Sequence, residues 1–170
     1  MDRQGALGQL RAAVETFART YLATDDRWGV GLSGGPDSLA LTAVAAQLRP
    51  TTALIVDHGL QPDSATVAET ARAHAISLGC VDAQVVCVQV GNDGGPEAAA
   101  RAARYAALNA WRGGPVLLAH TLDDQAETVL LGLGRGSGPR SIAGMRPYDP
   151  PWCRPLLGVR RSVTHAACQE

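Results

Sequence analysis

The stretch Ser33-Gly34-Gly35-Pro36-Asp37-Ser38 decides how this chain is interpreted. It follows an apolar run at residues 28–32 that predicts a strand, and it precedes an Ala- and Leu-rich run at 39–48 that predicts a helix. A glycine-rich turn between a strand and a helix directs free backbone N–H groups toward an anion. Adjacent glycines let the backbone approach a phosphate, and the two serine hydroxyls add donors. The stretch therefore predicts a phosphate-binding loop.

Asp37 is the unusual member of this loop, because a carboxylate repels phosphates unless a magnesium ion lies between them. The commoner phosphate loop, G-x-x-x-x-G-K-[ST], uses a lysine instead. All 15 basic residues of this chain are arginines, so that mechanism is excluded, as is Schiff-base chemistry on a lysine. The alternative is an ordinary strand-to-helix turn capped by Ser and Asp. The complete pattern after an apolar strand favours nucleotide binding with Mg²⁺ over that alternative.

Length and composition predict one globular domain, because 170 residues with 46% hydrophobic content are enough for a full core. The net charge of −1 gives no overall basic field, so a nucleic-acid contact would need a local patch. The four cysteines lack C-x-x-C spacing, which predicts reduced, mostly buried thiols and argues against a zinc site. Neither a signal peptide nor an apolar run of membrane length is found, so we expect a cytoplasmic protein without membrane contact.

Predicted strands and helices alternate along the chain, which is typical of an α/β fold with a doubly wound parallel sheet and helices on both faces. We predict strands at 28–32, 51–56, 81–90 and 116–120. We predict helices at 7–22, 39–48, 63–78, 97–111 and 123–131, and a final helix that begins near 159 and continues to 170. The segment 134–155 is rich in Gly, Ser, Pro and Arg, and we predict an irregular loop there.

Polar residues follow three of the predicted strands, where ligands bind in sheets of this kind. The phosphate loop follows the first strand, Asp57-His58-Gly59 follows the second, and His120 to Gln125 follows the fourth. Because the carboxyl ends of parallel strands meet at one edge of the sheet, we expect these three loops to form a single site.

Acids and histidines in these loops have two interpretations each. Asp123 and Asp124, with Glu127 one turn later, either bind a metal or stabilise the N-terminus of a helix. Beside a phosphate loop without lysine, Mg²⁺ binding by one of the aspartates is as good an interpretation as helix capping. His120 is either a proton donor or base near the reaction or a hydrogen-bonded residue that closes the strand, and His58 has the same alternatives.

Arginines form two candidate groups. Glu97, Arg101 and Arg104 share one helix face, and their spacing favours a Glu97–Arg101 ion pair over an arginine directed at a phosphate or an RNA backbone. The second group lies in the last third of the chain and predicts either a surface for a phosphate backbone or a loop folded against its neighbours. Its members are Arg135, Arg140, Arg146, Arg154, Arg160 and Arg161.

The phosphate loop SGGPDS resembles the signature of the PP-loop ATPases, whose Rossmann-like fold is shared with adenine nucleotide alpha-hydrolases. Further strings resemble the tRNA(Ile)-lysidine synthetase family in particular. These are Val56-Asp57-His58-Gly59-Leu60 with Ser64, EAAARAARY from Glu97 to Tyr105, and His120-x-x-Asp123-Asp124-Gln125-Ala126-Glu127-Thr128. Arg135-Gly136-Ser137-Gly138, Gly144-Met145 and Arg154-Pro155-Leu156-Leu157 continue the resemblance, which extends from about Val30 to Arg161.

This resemblance implies a ligase that forms a carbon–nitrogen bond. Members use ATP and Mg²⁺ to adenylate C2 of the wobble cytidine in a tRNA(Ile) with a CAU anticodon, and the amine of free lysine then displaces AMP. By motif, the loop from Ser33 to Ser38 would hold the ATP phosphates, and Asp37 with Asp123 or Asp124 would be linked to Mg²⁺. The residues expected near the reacting base, the leaving pyrophosphate or the RNA are Arg101, Arg104, His120 and Arg135. Of all these, the implied catalytic residues are Asp37, Arg104, His120 and Asp124.

Two departures from the family pattern are visible. The family usually has His-His after the fourth strand, where this chain has His120-Thr121. Family members also continue well beyond this length, so we expect the domain at 1–170 to be truncated at its C-terminus. The alternatives are another PP-loop tRNA-modifying enzyme that performs thiolation, and an ATP-binding module without turnover. The sequence leaves the oligomeric state open, with a homo-oligomer as one alternative.

Overall fold

The computed structural model describes residues 5–24, 26–59, 62–89, 95–134 and 143–170. Six helices and six strands are described. The helices are α1 (Ala6–Tyr21), α2 (Pro36–Leu48), α3 (Ser64–Ser77), α4 (Pro96–Ala110), α5 (Leu122–Gly134) and α6 (Arg161–Ala167). The strands are β1 (Trp28–Gly31), β2 (Thr51–Asp57), β3 (Asp82–Cys87), β4 (Val116–Leu117), β5 (Tyr148–Asp149) and β6 (Trp152–Cys153).

The strands form one sheet in the order β3-β2-β1-β4-β6-β5. Neighbouring strands are parallel, except for the antiparallel pair β5–β6. The chain moves outward from β1 to β3 and then crosses back to place β4 on the other side of β1. The order of the strands therefore reverses between β1 and β4, which is where sheets of this kind bind ligands. The predicted doubly wound α/β fold is confirmed.

Helices cover both faces of the sheet, and alternate residues of each strand supply the two apolar layers. Ala53 and Ile55 of β2 lie in the larger core with α1, α2, α3 and α6. Leu54, between them, lies in a smaller core on the other face, with Leu108 of α4. Burial on both faces explains why β2 has no charged residue before Asp57.

Two glycines of β1 let α4 lie close to the sheet. A Cβ on Gly29 would lie 2.7 Å from the Trp111 ring, and a Cβ on Gly31 would lie 3.1 Å from the Leu118 side chain. Gly31 also faces Arg104 of α4, whose Nη2 would be 3.7 Å from such a Cβ. The absence of side chains on this face of β1 therefore brings Arg104 beside the strand that leads into the phosphate loop.

The prediction of an irregular segment at 134–155 is wrong for its last part, where β5 and β6 form a hairpin of two-residue strands. Strands this short, separated by Pro150 and Pro151, have no alternation that a sequence pattern can detect. Their register depends on tertiary hydrogen bonds: the Val116 N–H donates to the Pro151 carbonyl and the Leu118 N–H to the Cys153 carbonyl, both at 2.8 Å. Residues 135–142 of the predicted loop lie outside the described residues.

Three predicted helix ends also differ, each by three residues. The helix predicted at 123–131 continues to Gly134. The helix predicted at 39–48 begins at Pro36, because proline suits the first position of a helix. The last helix ends at Ala167 rather than continuing to Glu170. The Glu170 carboxylate instead accepts from the Ala6 N–H at 2.6 Å, at the start of α1. No helix in the described part of the chain has both the length and the apolar character needed to cross a membrane.

Candidate functional site

The phosphate loop has the expected shape for anion binding. Gly34 has a φ of +85°, and Gly35 precedes α2 in extended conformation. A residue with a side chain would be strained at Gly34. The buried Ser38 hydroxyl donates to the Gly35 carbonyl at 2.9 Å and accepts from the Ser33 N–H at 3.2 Å, so it supports the loop from inside. The Ser33 side chain lies on the exposed side of the loop.

Asp37 lies in the first turn of α2, and its carboxylate contacts α6. The Thr164 hydroxyl donates to Asp37 Oδ1, and His165 Nε2 lies 3.9 Å from the same oxygen. The other oxygen, Oδ2, lies 3.6 Å from Nε of Arg161. The last helix therefore packs directly against the acid of the phosphate loop, although 127 residues separate Asp37 from Thr164.

Asp124 both caps α5 and faces Asp37. Its Oδ2 accepts from the N–H and the hydroxyl of Thr121, at 2.7 and 2.8 Å, which forms a helix cap. Its Oδ1 accepts from Nη2 of Arg161 at 2.7 Å. Burial alone would raise the pKa of Asp124, but these hydrogen bonds and the charge of Arg161 lower it below its ordinary value. Asp124 is therefore ionised, with one oxygen directed toward the phosphate loop.

Asp123 has a different role in the structure. Its Oδ2 accepts from the backbone N–H of Arg161 at 2.7 Å, at the start of α6. Asp123 thus anchors the main chain of α6, while Asp124 meets the side chain of the same arginine. Of the two acids, Asp124 is the one that shares a cationic partner with Asp37.

Three carboxylates surround the Arg161 guanidinium. Besides Asp37 and Asp124, Glu127 places Oε1 at 3.8 Å from Nη1 of Arg161. These charges, led by that of Asp124, raise the pKa of Arg161 above its ordinary value. Sequence reasoning missed this role, because Arg161 was visible only as one of six arginines late in the chain.

A cavity of about 410 Å³ opens beside the phosphate loop. We name it the acid–arginine cavity; its lining includes Ser33, Asp37, Ser38, Arg101, Arg104, His120, Asp124, Glu127, Leu131 and Met145. The phosphate loop, α4, the end of β4 and α5 all contribute. The cavity therefore brings together Asp37, Arg101, Arg104, His120 and Asp124 of the predicted site residues. Asp123 does not line it, and Arg135 lies outside the described residues.

The predicted Glu97–Arg101 ion pair is wrong: both residues are described, and no ion pair joins them. The Arg101 guanidinium instead lies 5.1 Å from the centre of the Tyr105 ring, one turn along α4. Arg104 also lacks a carboxylate partner among the described residues, and burial lowers its pKa. Two arginines without an ion-pair partner among the described residues therefore line the cavity, together with Glu97, and their guanidinium groups suit an anionic ligand.

His120 and His58 line a smaller cavity of about 230 Å³ with Arg101, Arg104 and Tyr105. Nδ1 of each histidine is buried without a hydrogen-bond partner in the described part of the chain. Burial, followed by the charge of Arg154, lowers the pKa of His120 to about 4. His120 is therefore a neutral imidazole near pH 7, suited to donate or accept a hydrogen bond rather than to carry a charge.

An apolar cavity of about 270 Å³ lies where β1 and β2 meet α3. Ile55, Val67, Ala68 and Ala71 supply its walls, and Ser33 lines both this cavity and the acid–arginine cavity. Asp57-His58-Gly59, after β2, was predicted to lie at the site, and these residues line this cavity. The part played by the apolar residues of α3 was not predicted, because their spacing is also that of an ordinary core-facing helix. The arrangement offers an apolar space next to a phosphate loop.

Comparison with known proteins gives the family. A family model described as a PP-loop domain matches residues 8–170. The chain belongs to the PP-loop domain family. The match includes the phosphate loop, α4, α5 and α6, and therefore every described residue of the acid–arginine cavity.

Curated relatives of this PP-loop domain carry one name. The chain is 83% identical over 170 residues to the tRNA(Ile)-lysidine synthase of Mycobacterium bovis, and 79% identical over 174 residues to that of Mycobacterium leprae. Each alignment covers 100% of the chain, but 53% and 54% of the respective relative. The chain thus spans about half the length of these relatives.

Among solved structures, the PP-loop domain resembles the U34-tRNA thiolase NcsA from Methanococcus maripaludis, with its [4Fe-4S] cluster. The TM-score is 0.77 at 16% identity, over 96% of this chain and 63% of that one. The NH3-dependent NAD synthetase from Campylobacter jejuni gives a TM-score of 0.62, also at 16% identity, over 99% and 73%. At this identity the likeness establishes the fold alone.

The carboxylates of Asp37 and Asp124 are oxygen donors of the kind that a magnesium ion prefers. Asp37 and Asp124 come from different helices and approach the same cation, the Arg161 guanidinium, so two carboxylate oxygens already converge on a position of positive charge. Magnesium prefers such hard oxygen ligands and usually takes one or two carboxylates together with substrate phosphates. Within the described ranges, no cluster of three or more His, Cys, Asp or Glu forms a metal site of protein ligands alone.

The predicted basic surface of the PP-loop domain is wrong for two of its members. Arg154 is buried, and its Nη1 donates to the Arg146 carbonyl at 2.9 Å. Arg161 is engaged by the acids. Arg146 and Arg160 are exposed, whereas Arg135 and Arg140 lie outside the described residues. The alternative prediction, a segment folded against its neighbours, therefore describes Arg154 and Arg161 correctly.

Another cavity, of about 470 Å³, lies at the opposite edge of the sheet, where α1 and α2 end. Its basic residues include Arg19 in the last turn of α1 and Arg49 just after α2, where they complement the negative ends of the helix dipoles. Among the residues that the structure describes, none from the loops at the carboxyl ends of the strands lines this cavity. We therefore assign the site to the carboxyl edge of the sheet.

Proposed function

We propose that this PP-loop domain, as part of a longer protein, uses ATP to join lysine to C2 of the wobble cytidine of a tRNA(Ile) with a CAU anticodon. The reaction proceeds through an adenylated tRNA and releases pyrophosphate and AMP. The observation that carries this proposal is the 83% identity, over all 170 residues, to proteins named tRNA(Ile)-lysidine synthase. The cavities of the site provide a chemical basis for it.

ATP occupies the two cavities that meet at Ser33 in this proposal. The apolar cavity between β1, β2 and α3 takes the adenine ring, and the loop from Ser33 to Ser38 holds the phosphates with its backbone N–H groups. Asp37 and Asp124 hold the magnesium ion. When bound there, the ion offsets the negative charge of the phosphates.

Arg101 and Arg104 contribute positive charge on the opposite wall of the acid–arginine cavity. As the C2 oxygen of cytidine attacks the α-phosphorus, the bond to the β-phosphate breaks, and negative charge grows on the leaving pyrophosphate. Guanidinium groups without a carboxylate partner stabilise such charge, and most catalysis of phosphoryl-type transfer is positioning and charge stabilisation. His120, as a neutral imidazole, forms a hydrogen bond to the reacting base or the phosphate without adding charge.

In the second step, the amine of lysine attacks C2, and AMP leaves with its bonding electrons. The proton lost by the amine passes to a base or to solvent. The carboxylates of Asp124 and Glu127 line the acid–arginine cavity, and Glu127 is largely exposed.

Three of the four cysteines, Cys80, Cys153 and Cys168, do not favour the rival reaction, thiolation. Burial raises the pKa of the Cys80 thiol to about 11 and that of Cys153 to about 12, so neither is a thiolate near pH 7. Cys168, whose Sγ lies 3.3 Å from the Pro36 carbonyl oxygen beside the phosphate loop, also has a raised pKa, caused first by burial and then by the charge of Asp37.

The test is AMP formation from ATP in the presence of Mg²⁺, lysine and a tRNA(Ile) transcript with a CAU anticodon. We expect AMP only when both lysine and that tRNA are present, and little with a transcript whose anticodon lacks the cytidine. Because the chain spans about half of its relatives, the assay is repeated with the remaining half of a relative supplied. ATP binding without lysine-dependent AMP under both conditions would favour a nucleotide-binding module instead.

A further inference from the structure

We propose that the Arg161 guanidinium and a divalent cation are alternative occupants of one position between Asp37 and Asp124, so that the cation enters by displacing Arg161. This inference rests on the proposed ATP site, to which it adds a residue that no sequence motif assigned. It makes Arg161 a positioning residue for the metal, acting through the two acids.

The hydrogen bonds of Asp124 leave no other oxygen for a metal. Oδ2 accepts two hydrogen bonds from Thr121 that cap α5, so only Oδ1 faces the site. Nη2 of Arg161 lies 2.7 Å from that Oδ1. A magnesium ion binds a carboxylate oxygen at about 2.0–2.1 Å, so a guanidinium in contact with the same oxygen would place a second positive charge beside the ion. Repulsion between the two cations favours one occupant at a time.

The carboxylate of Asp37 shows the same division. Oδ1 accepts from the Thr164 hydroxyl and lies near His165, whereas Oδ2 lies 3.6 Å from Nε of Arg161. Each acid thus has one oxygen engaged by a structural partner and the other directed at Arg161. Two carboxylates close together repel each other without a cation, and Arg161 supplies that cation when no metal is bound.

The Arg161 side chain can leave while its backbone stays in place. Its N–H donates to Asp123 Oδ2 at 2.7 Å. This backbone hydrogen bond holds the start of α6 independently of the guanidinium. Glu127, whose side chain is 66% exposed, lies on the solvent side with Oε1 already at 3.8 Å from Nη1, and it offers the displaced guanidinium a partner.

The experiment titrates the chain with Mn²⁺, a spectroscopic substitute for Mg²⁺, without nucleotide, and counts free Mn²⁺ by electron paramagnetic resonance. Arg161→Gln should bind Mn²⁺ about tenfold more tightly than the wild-type chain, because no guanidinium then competes for the two oxygens. Arg160→Gln is the matched control: it removes the same charge one residue away, from an exposed side chain with no hydrogen bond among the described residues. It should stay within about twofold of wild type.

Several results would overturn the proposal. Weaker binding by Arg161→Gln would mean that the guanidinium organises the acids for the metal, and unchanged binding would mean that it does not compete. Equal tightening in both variants would indicate a general charge effect. Absence of Mn²⁺ binding in all three chains would remove the site.

A second measurement on the wild-type chain covers the case in which Arg161→Gln fails to fold. The Nε–Hε resonance of Arg161 is followed by nuclear magnetic resonance as Mg²⁺ is added. We expect the chemical shift of this resonance to change and then level off as Mg²⁺ saturates the site, because the guanidinium leaves Asp37 and Asp124. An unchanged chemical shift at a saturating Mg²⁺ concentration would contradict displacement. Neither titration contains tRNA or lysine, so failure of the proposed ligase reaction is distinguishable from failure of this inference.

Discussion

Gln125 holds Met145 through both ends of its carboxamide. Its Oε1 accepts from the Met145 N–H at 2.7 Å, and its Nε2 donates to the Met145 carbonyl at 2.9 Å. This pairing fixes the chain that returns to the sheet at the wall of the acid–arginine cavity, which Met145 lines. Gly144, with a φ of +68°, leaves room for it, because a Cβ there would lie 2.8 Å from Oε1 of Gln125.

Gln125→Leu should lower the free energy of unfolding by about 1–3 kcal/mol, since it removes two hydrogen bonds to backbone groups that have no other described partner. Chemical denaturation measures the effect. The control, Gln169→Leu, changes an exposed glutamine without a side-chain hydrogen bond in the described chain, and it should shift stability by less than about 0.5 kcal/mol. Equal losses in the two variants would contradict the role of the carboxamide.

Asp124→Asn should reduce the gain in ATP affinity that Mg²⁺ provides by about tenfold or more, and Asp37→Asn should do the same. Asp123→Asn should have little effect, because an amide oxygen can still accept from the Arg161 N–H. Calorimetric titration with a non-hydrolysable ATP analogue, with and without Mg²⁺, measures these differences. If Asp123→Asn were the variant that lost Mg²⁺ dependence, the assignment of the two neighbouring acids would be reversed.

Protonation of His120 should make the fold less stable in acid. Its pKa is about 4 in the folded chain against an ordinary 6.5, so the unfolded chain binds the proton first as pH falls. The free energy of unfolding is therefore unaffected by His120 above pH 6.5. It falls as pH decreases from 6.5 to 4, with a limiting slope of about 1.36 kcal/mol per pH unit.

Unfolding free energies measured from pH 4 to 8 test this dependence. His120→Asn should flatten the curve in that window, whereas the exposed His74→Asn should leave it unchanged. A wild-type curve with the same slope as His120→Asn would show that the imidazole is not held neutral by the fold.

Arg104→Met should stabilise the fold while abolishing turnover. The buried guanidinium has no carboxylate partner within the described ranges, so a methionine of similar length removes a desolvated charge, and we expect a gain of about 1 kcal/mol. Thermal unfolding and the AMP assay together measure the trade-off. The control is Arg112→Met, at an exposed residue just after α4, which should change thermal stability and AMP formation little. A clear loss of stability in Arg104→Met would indicate that Arg104 has a structural role.

Much of the fold could be predicted from the sequence because long, periodic segments determine it. The strands before the phosphate loop and before Asp57 are apolar and bounded by turns, and the five helices up to α5 have clear limits or breakers. The hairpin β5–β6 could not be predicted, because two-residue strands exist only through pairing with β4. The start of α2 was misplaced since Pro36 was interpreted as part of the loop.

The grouping of Asp37, His120 and Asp124 around one cavity was predictable, because they follow the carboxyl ends of neighbouring parallel strands. The site was not predictable where one element packs across another. Arg161, on the last helix, meets acids that lie 37 and 124 residues earlier in the chain. Such choices depend on the relative positions of helices, which local spacing does not encode.

The two glycines of β1 determine how closely α4 can lie to the sheet. A Cβ at Gly31 would meet Leu118 at 3.1 Å and Nη2 of Arg104 at 3.7 Å, so the close approach of these side chains requires a hydrogen atom at that position. A larger residue would have to push one of them away from β1. Gly31 is therefore the position of the strand at which a change in volume would act directly on an arginine of the acid–arginine cavity.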